Sequence, residues 1–205
     1  MQYDRDANGN LTPLPRQNVD TGAGLERFAS IMQGVTDNYD TDLFVNLKRA
    51  VSDVTGVAES PDNIASFKVI TDHLRSVGFA IADGVIPSNT DRGYVIRRIL
   101  RRAMRHGQIL GHRGALLSKL YPALITEMGA AYPELAREQD RVVEIIRNEE
   151  NSFADMLQNG MKLLENEIPN LNNGILPGDI AFKLFDTYGF PLDLTQMILR
   201  DRNID

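Results

Sequence analysis

The sequence predicts a mainly α fold, a helical bundle preceded by a small N-terminal β hairpin. Two observations predict the bundle. From about Asp40 onward hydrophobic residues recur at helical spacing, and glycine or proline interrupts them at short intervals. A third observation predicts the hairpin, because the first thirty residues read as two extended segments joined by an Asn8-Gly9 turn.

Composition narrows the class of protein. Hydrophobic residues make up 42% and charged residues 24% of the 205 positions, which is typical of globular proteins. The chain has no cysteine for a disulfide or thiolate site, and His73, His106 and His112 lack a metal-ligand spacing, so we expect no bound metal. No apolar run approaches the ~20 residues that cross a bilayer, and the N-terminus does not resemble a signal peptide. We therefore expect a cytoplasmic protein without a membrane partner.

The hairpin leads into a glycine-rich turn. Two strands alone are marginal in water, so the hairpin is expected to be the margin of a larger sheet. In the segment Asp20–Phe28, Gly22 and Gly24 would let a flat ligand or a phosphate approach the backbone, and Arg27 would lie in the first turns of the next helix. The alternative is a tight turn capped by Asp20 or Thr21, with Arg27 solvated.

The later elements follow from hydrophobic spacing and helix-end signals. Helices are predicted from Asp40 or Thr41 to Gly56, from Ser60-Pro61 to Gly78, from Ser88–Asp91 to Gly107, after Gly114 and through Pro122, from Pro133 to about Ile168, from Asp179 to Gly189, and from Pro191 onward. Between them we expect an apolar link over residues 79–85 and a loop over residues 172–179.

The helix that ends at Gly107 carries most of the positive charge. At ~100° per residue its arginines fall within one arc, opposite a face of Val, Ile, Leu, Ala and Met. These arginines are Arg97, Arg98, Arg101, Arg102 and Arg105. From Arg92 to Leu120 the chain holds seven arginines, one lysine and no acidic residue, although its net charge is −6.

Two interpretations of the arginine face remain open. In the first, the face binds phosphates, because guanidinium groups pair with phosphate oxygens and a row of them can follow a nucleic-acid backbone. Alternatively, ordinary ion pairs neutralise it. The segment Glu134–Ile168, with nine acidic and four basic residues, is the best candidate for that internal partner.

Three segments together are more specific than any of these local patterns. They are Val19–Arg27, Ile81–Gly107 and Phe185–Leu194, and in this order they closely resemble the alanyl-tRNA synthetase family. The resemblance implies that residues 1–36 are the end of a class II aminoacylation domain, with its third signature motif and the margin of its antiparallel sheet. It implies that residues 37–205 are the helical tRNA-recognition domain.

The resemblance also implies roles for single residues. Arg27 would be catalytic and contact the triphosphate of ATP, Gly22 and Gly24 would let the backbone pass the adenylate, and Asp20 would hold the alanine ammonium group. Asn89 and Asp186 would read the G·U wobble pair of the tRNA(Ala) acceptor stem, as side-chain acceptors for its unpaired guanine amine. The expected contacts to stem phosphates come from Arg92, Arg97, Arg98, Arg101, Arg102 and Arg105.

Parts of the family pattern are expected to lie outside this chain. The first two signature motifs would precede Met1, and the zinc-bearing editing domain and the oligomerisation region would follow Asp205. The full enzyme would activate alanine with ATP and magnesium and transfer it to tRNA, whereas this piece alone is predicted to be inactive. The alternatives are a stand-alone module that binds an RNA acceptor stem without catalysis, and a structural role in which the arginines are neutralised internally.

Overall fold

The computed structural model describes residues 2–16, 18, 22–171, 175–187, 190, 192–202 and 204. It confirms the predicted class, because this part of the chain is mainly α-helical and contains a two-stranded antiparallel hairpin near its N-terminus. The chain divides into two compact units, Met1–Asn46 and Leu47–Asp205. The assignment of residues 1–36 and 37–205 to two functional domains stays a prediction.

The first unit holds the hairpin and one short helix. Strands β1 (Tyr3–Arg5) and β2 (Leu11–Pro13) pair with Asp4 opposite Thr12. The Asp6 carboxylate closes the turn by accepting hydrogen bonds from the backbone N–H groups of Asn8 and Asn10, both at 2.9 Å. Helix α1 (Leu25–Gln33) and a short 3-10 helix (Asn38–Asp40) follow. The hydrophobic side chains of α1 are exposed: Leu25, Phe28, Ile31 and Met32.

The second unit is the helical bundle, and α2 enters it from the first unit. Its helices are α2 (Asp42–Thr55), α3 (Ile64–Ala82), α4 (Asp91–Ile109), α5 (Leu117–Met128), α6 (Pro133–Arg137), α7 (Gln139–Glu167), α8 (Gly178–Asp186) and α9 (Leu192–Asp201), with a 3-10 turn at Ile168–Asn170. Helix α3 packs most extensively on α4, and α7 lies against both α4 and α5. One hydrophobic cluster joins them, with Phe67, Leu74, Leu100, Tyr121 and Ile146 almost fully buried.

Two glycines that were predicted to end helices lie inside them. Helix α3 continues past Gly78 to Ala82, so the predicted apolar link is mostly its last turn, and α4 continues past Gly107 to Ile109. Both glycines are buried where another helix approaches closely. A Cβ on Gly78 would lie 2.7 Å from Leu124 Cδ2, and one on Gly107 would lie 2.5 Å from Leu116 Cδ2. These glycines therefore serve helix packing, which a helix-end signal in the sequence cannot reveal.

The predicted single helix from Pro133 to Ile168 is also wrong, because α6 and α7 are separated at Glu138. The Leu135 carbonyl accepts a hydrogen bond from Tyr121 Oη at 3.0 Å, and so makes a tertiary contact where a continuous helix would use it internally.

In α8 the N-cap is Pro177, and Asp179 lies in the first turn instead of capping it. The predicted helix end at Gly189, the start at Pro191 and residues 172–174 of the predicted loop over residues 172–179 lie outside the described residues.

Over the described part of the chain, no helix is both long enough and apolar enough to cross a membrane.

Candidate functional site

The glycine-rich segment leads directly into α1. Gly24 is the N-cap of the helix, with φ −64° and ψ 129°, and a Cβ on Gly22 would meet nothing within 4 Å. Arg27 lies in the first turn of α1 with its side chain exposed. Asp20 and Thr21 lie outside the described residues. The roles of Asp20, Gly22, Gly24 and Arg27 toward ATP and alanine stay predictions.

The loop that carries Asn89 lies closely over the first turn of α4. Ser88 Oγ donates a hydrogen bond to the Thr90 carbonyl at 2.8 Å, and Asp91 begins the helix with φ +52°, a left-handed conformation that aspartate tolerates better than most residues. Gly93 makes room for this loop. A Cβ at Gly93 would overlap the Ile86 carbonyl oxygen and Ser88 Oγ. The position of Asn89 thus depends on a residue inside the helix that follows it.

The predicted arginines of α4 do not share one open face. Arg97, Arg101 and Arg105 form one row at i, i+4 spacing and are partly buried, whereas Arg98 and Arg102 form the neighbouring row and are exposed. The arc of five arginines is therefore divided into a partly buried row and an exposed row. Helix α7 packs on α4 and contacts two residues of the partly buried row, Arg97 through Glu149 and Arg101 through Phe153.

The exposed and buried rows differ in their contacts. The Arg98 guanidinium lies 5.8 Å from the centre of the Tyr94 ring, and both side chains face solvent. Arg101 lies 6.0 Å from the Phe153 ring of α7. Burial lowers the pKa of the Arg101 guanidinium, with Glu149 raising that pKa and Arg97 lowering it. Arg92 is exposed in the first turn of α4.

Arg97 is bound inside the protein. Its Nε donates to both carboxylate oxygens of Glu149 at 3.1 Å, and its Nη2 donates to Glu149 Oε1 at 2.5 Å. Its Nη1 donates to Asn89 Oδ1 at 2.5 Å, and Nη2 also reaches the Pro87 carbonyl at 3.4 Å. The internal ion pair that the sequence left as an alternative therefore holds for Arg97, and its partner does come from the acidic segment.

Asp186 lies on a different element from Asn89. It is the last residue of α8, a helix that packs on α9, and its side chain is exposed. Asn89 is thus hydrogen-bonded to Arg97, whereas Asp186 is exposed at the C-terminal end of α8. The assignment of all eight predicted RNA-binding residues stays a prediction.

Sequence reasoning missed two acidic residues of α7. Glu149 holds Arg97, and Glu150 caps α5 by accepting hydrogen bonds from the N–H groups of Leu116 at 2.8 Å and Leu117 at 2.7 Å, and from Ser118 Oγ at 2.5 Å. Both glutamates are buried. The sequence did contain a signal for these two residues. The hydrophobic stripe of α7 includes Ile146 and Phe153, and helical spacing requires one more inward position between them, where the chain has Glu149 and Glu150.

Comparison with known proteins decides the family. The whole chain, residues 1–205, matches the sequence model of the tRNA synthetases class II (A). The chain belongs to this family. Its relatives include proteins named Alanine--tRNA ligase from Pseudoalteromonas translucida (strain TAC 125), 50% identical over 204 residues, from Bordetella petrii, 52% identical over 206 residues, and from Neisseria meningitidis serogroup C, 54% identical over 205 residues.

Each of these alignments covers 100% of this chain and 23% of the relative. The chain therefore spans about a quarter of the length of these relatives. The family resemblance that the three sequence motifs indicated is confirmed.

Proposed function

We propose that the chain is part of an alanine–tRNA ligase, which activates alanine with ATP and transfers it to tRNA(Ala), and that its main task is to recognise the acceptor stem. One observation carries this proposal. Helix α4 presents the exposed row of Arg98 and Arg102 to solvent, and the loop entering the same helix presents Asn89. Phosphate contacts and a candidate base reader thus lie on one element.

The exposed row of Arg98 and Arg102 would bind the phosphates of the RNA stem. A chain with a net charge of −6 does not bind nucleic acid through its overall charge, so binding requires a local basic surface. Arg98 and Arg102 are one turn apart on α4, so their guanidinium groups lie on one side of the helix, and Arg92 is exposed at its start. Such groups bind phosphate oxygens in pairs and hold an RNA stem irrespective of its sequence.

The readers are Asn89 and Asp186. The minor groove of A-form RNA is wide and shallow, and a G·U wobble leaves the guanine amine there without a partner. The exposed Asp186 carboxylate is an acceptor for that amine, and Asn89 adds a side-chain amide. A G·C pair engages the same amine in pairing and so offers less to a carboxylate.

Asn89→Ala and Asp186→Ala test the readers. Each substitution should weaken binding to a tRNA(Ala) acceptor-stem hairpin with its G·U pair by ~1–3 kcal/mol, and change binding to the same hairpin with G·C much less. Fluorescence anisotropy at fixed salt concentration measures both. The matched controls are Asn151→Ala and Asp155→Ala, two exposed positions of α7. Equal losses on both stems would show that Asn89 and Asp186 do not distinguish them.

The first unit would contribute to the ATP and alanine sites. Gly22 leaves open space beside the backbone, Gly24 lies next to it without a side chain, and the exposed Arg27 would offset charge on the triphosphate of a magnesium–ATP complex. We expect this chain alone to give no ATP–pyrophosphate exchange in the presence of alanine. Turnover in that assay would contradict the assignment of this chain as an incomplete catalytic site.

A further inference from the structure

The Arg97 guanidinium is largely occupied by the protein itself. Of its five N–H groups, one on Nε and one on Nη2 bind Glu149, the second on Nη2 reaches the Pro87 carbonyl, and one on Nη1 binds Asn89, so four have internal partners. The side chains of Arg97 and Glu149 are only 20% and 11% exposed. A guanidinium held in this way is not available to grip a phosphate.

The Glu149 contact fixes the direction of Arg97. Three contacts to one carboxylate, with Nε and Nη2 side by side, give the planar side-on pairing in which an arginine loses most of its freedom. Glu149 itself is anchored at the middle of α7, between the buried residues Ile146 and Phe153. Because Glu149 belongs to α7, this helix fixes the orientation in which Arg97 Nη1 faces the loop before α4.

Arginine also determines which way the Asn89 amide faces. Arginine has N–H donors and no acceptor, so only the Asn89 oxygen can bind it, and Oδ1 faces Arg97. The amide NH₂ group then points away from Arg97. Among the described residues it has no hydrogen-bond partner, and Asn89 is exposed. Asn89 therefore offers donors to a ligand, which corrects the expectation that it acts through its oxygen.

We propose that Glu149 is a positioning residue for recognition of the acceptor stem: it holds Arg97, and Arg97 holds the Asn89 amide with its NH₂ group toward the RNA. The proposal rests on the proposed function, because it assumes that Asn89 reads the stem. It assigns Arg97 to the reader instead of to the phosphate contacts. An amide that is ordered before binding loses less conformational freedom when RNA binds. Its donors would meet a minor-groove acceptor such as the uracil O2, which a wobble pair places differently from the cytosine O2 of a G·C pair, while Asp186 accepts from the guanine amine.

Glu149→Gln tests the proposal, with Glu150→Gln as the matched control. Both replace a buried glutamate of α7 by its amide, but Glu150 caps α5 and does not contact Arg97. The measured quantity is the ratio of dissociation constants for the G·C and G·U acceptor-stem hairpins, at a temperature where urea titrations show each variant folded. Glu149→Gln should lower this ratio roughly 3- to 10-fold, whereas Glu150→Gln should leave it unchanged. An unchanged ratio in Glu149→Gln, or an equal fall in both variants, would overturn the proposal.

A double-variant cycle separates this inference from the proposed function. In an Asn89→Ala background the ratio should be low already, and adding Glu149→Gln should lower it no further, because Glu149 acts through Asn89. If Asn89→Ala alone leaves the ratio intact, the proposed reader is wrong and the inference is lost with it. If Asn89→Ala lowers the ratio and Glu149→Gln lowers it independently, only the positioning role is wrong.

Discussion

Arg97 and Arg98 are neighbours in the chain and have opposite environments. Arg97 lies under α7, bound to Glu149 and to Asn89, whereas Arg98 lies in solvent over the Tyr94 ring. Their residue type, helix and charge are the same. What differs is the element that packs beside them, because α7 contacts Arg97 and Arg101 and leaves Arg98 exposed.

Arginines of one helix face can therefore be of two kinds. An arginine with an internal carboxylate partner stabilises the fold and orients other side chains, and an arginine without one is available to a ligand. The two kinds are expected to respond differently to substitution. Stability should depend on Arg97, and the salt dependence of RNA binding should depend on Arg98.

The largest expected effect is on stability. Arg97→Met keeps much of the side-chain volume but leaves the buried Glu149 carboxylate without its cation, which should lower the free energy of unfolding by about 3 kcal/mol. Arg98→Met, at an exposed site, should change the free energy of unfolding by less than about 0.5 kcal/mol. Urea titrations of both variants and of the parent chain measure this. Equal destabilisation by the two substitutions would remove the distinction between the rows.

A smaller effect is expected on RNA affinity. Arg98→Ala should weaken binding to G·U and G·C stems alike, by ~1 kcal/mol, and reduce by about one the slope of log affinity against log salt concentration. Arg97→Lys keeps the charge and should leave that slope unchanged, because Arg97 does not contact phosphate in the proposed arrangement. Binding titrations from low to moderate salt measure both slopes. A reduced slope in Arg97→Lys with an unchanged slope in Arg98→Ala would reverse the two assignments.

Much of the fold was readable from the sequence, since hydrophobic spacing depends on local geometry. The arginine helix, the helix with Pro122 and the hairpin were all predicted. Gly78 and Gly107 were misread because a glycine that ends a helix and one that admits a neighbouring helix look alike until the neighbour is placed.

The same limit applies to the site. The motif resemblance indicated Asn89 and the arginines, but the Arg97 contact to Glu149 spans 52 residues of sequence, and no local pattern connects the two. Helical periodicity gives the angle of each arginine about α4. It does not give the position of α7, which decides which arginines are covered.

The weakest effect should be that of Arg102, in the exposed row, on the pKa of the partly buried His106. His106 of α4 lies within 3.0 Å of Ser66 Oγ on α3, and burial lowers its pKa below 6.5, assisted by the positive charges of Arg102 and Arg105 and by His73 of α3. A histidine with a lowered pKa in the folded state binds fewer protons there than in the unfolded chain, so its contribution to stability is complete above pH ~6.5 and declines as the pH falls toward the folded pKa. Arg102→Ala removes one of these charges and should raise the pKa of His106, making the loss of stability on acidification smaller. Arg98→Ala is the control, because Arg98 lies two turns from His106 and its removal should leave the pKa of His106 unchanged. NMR titration of the His106 ring measures this pKa in both variants. An equal rise in the two would show that these arginines act on His106 only through the net charge of the chain.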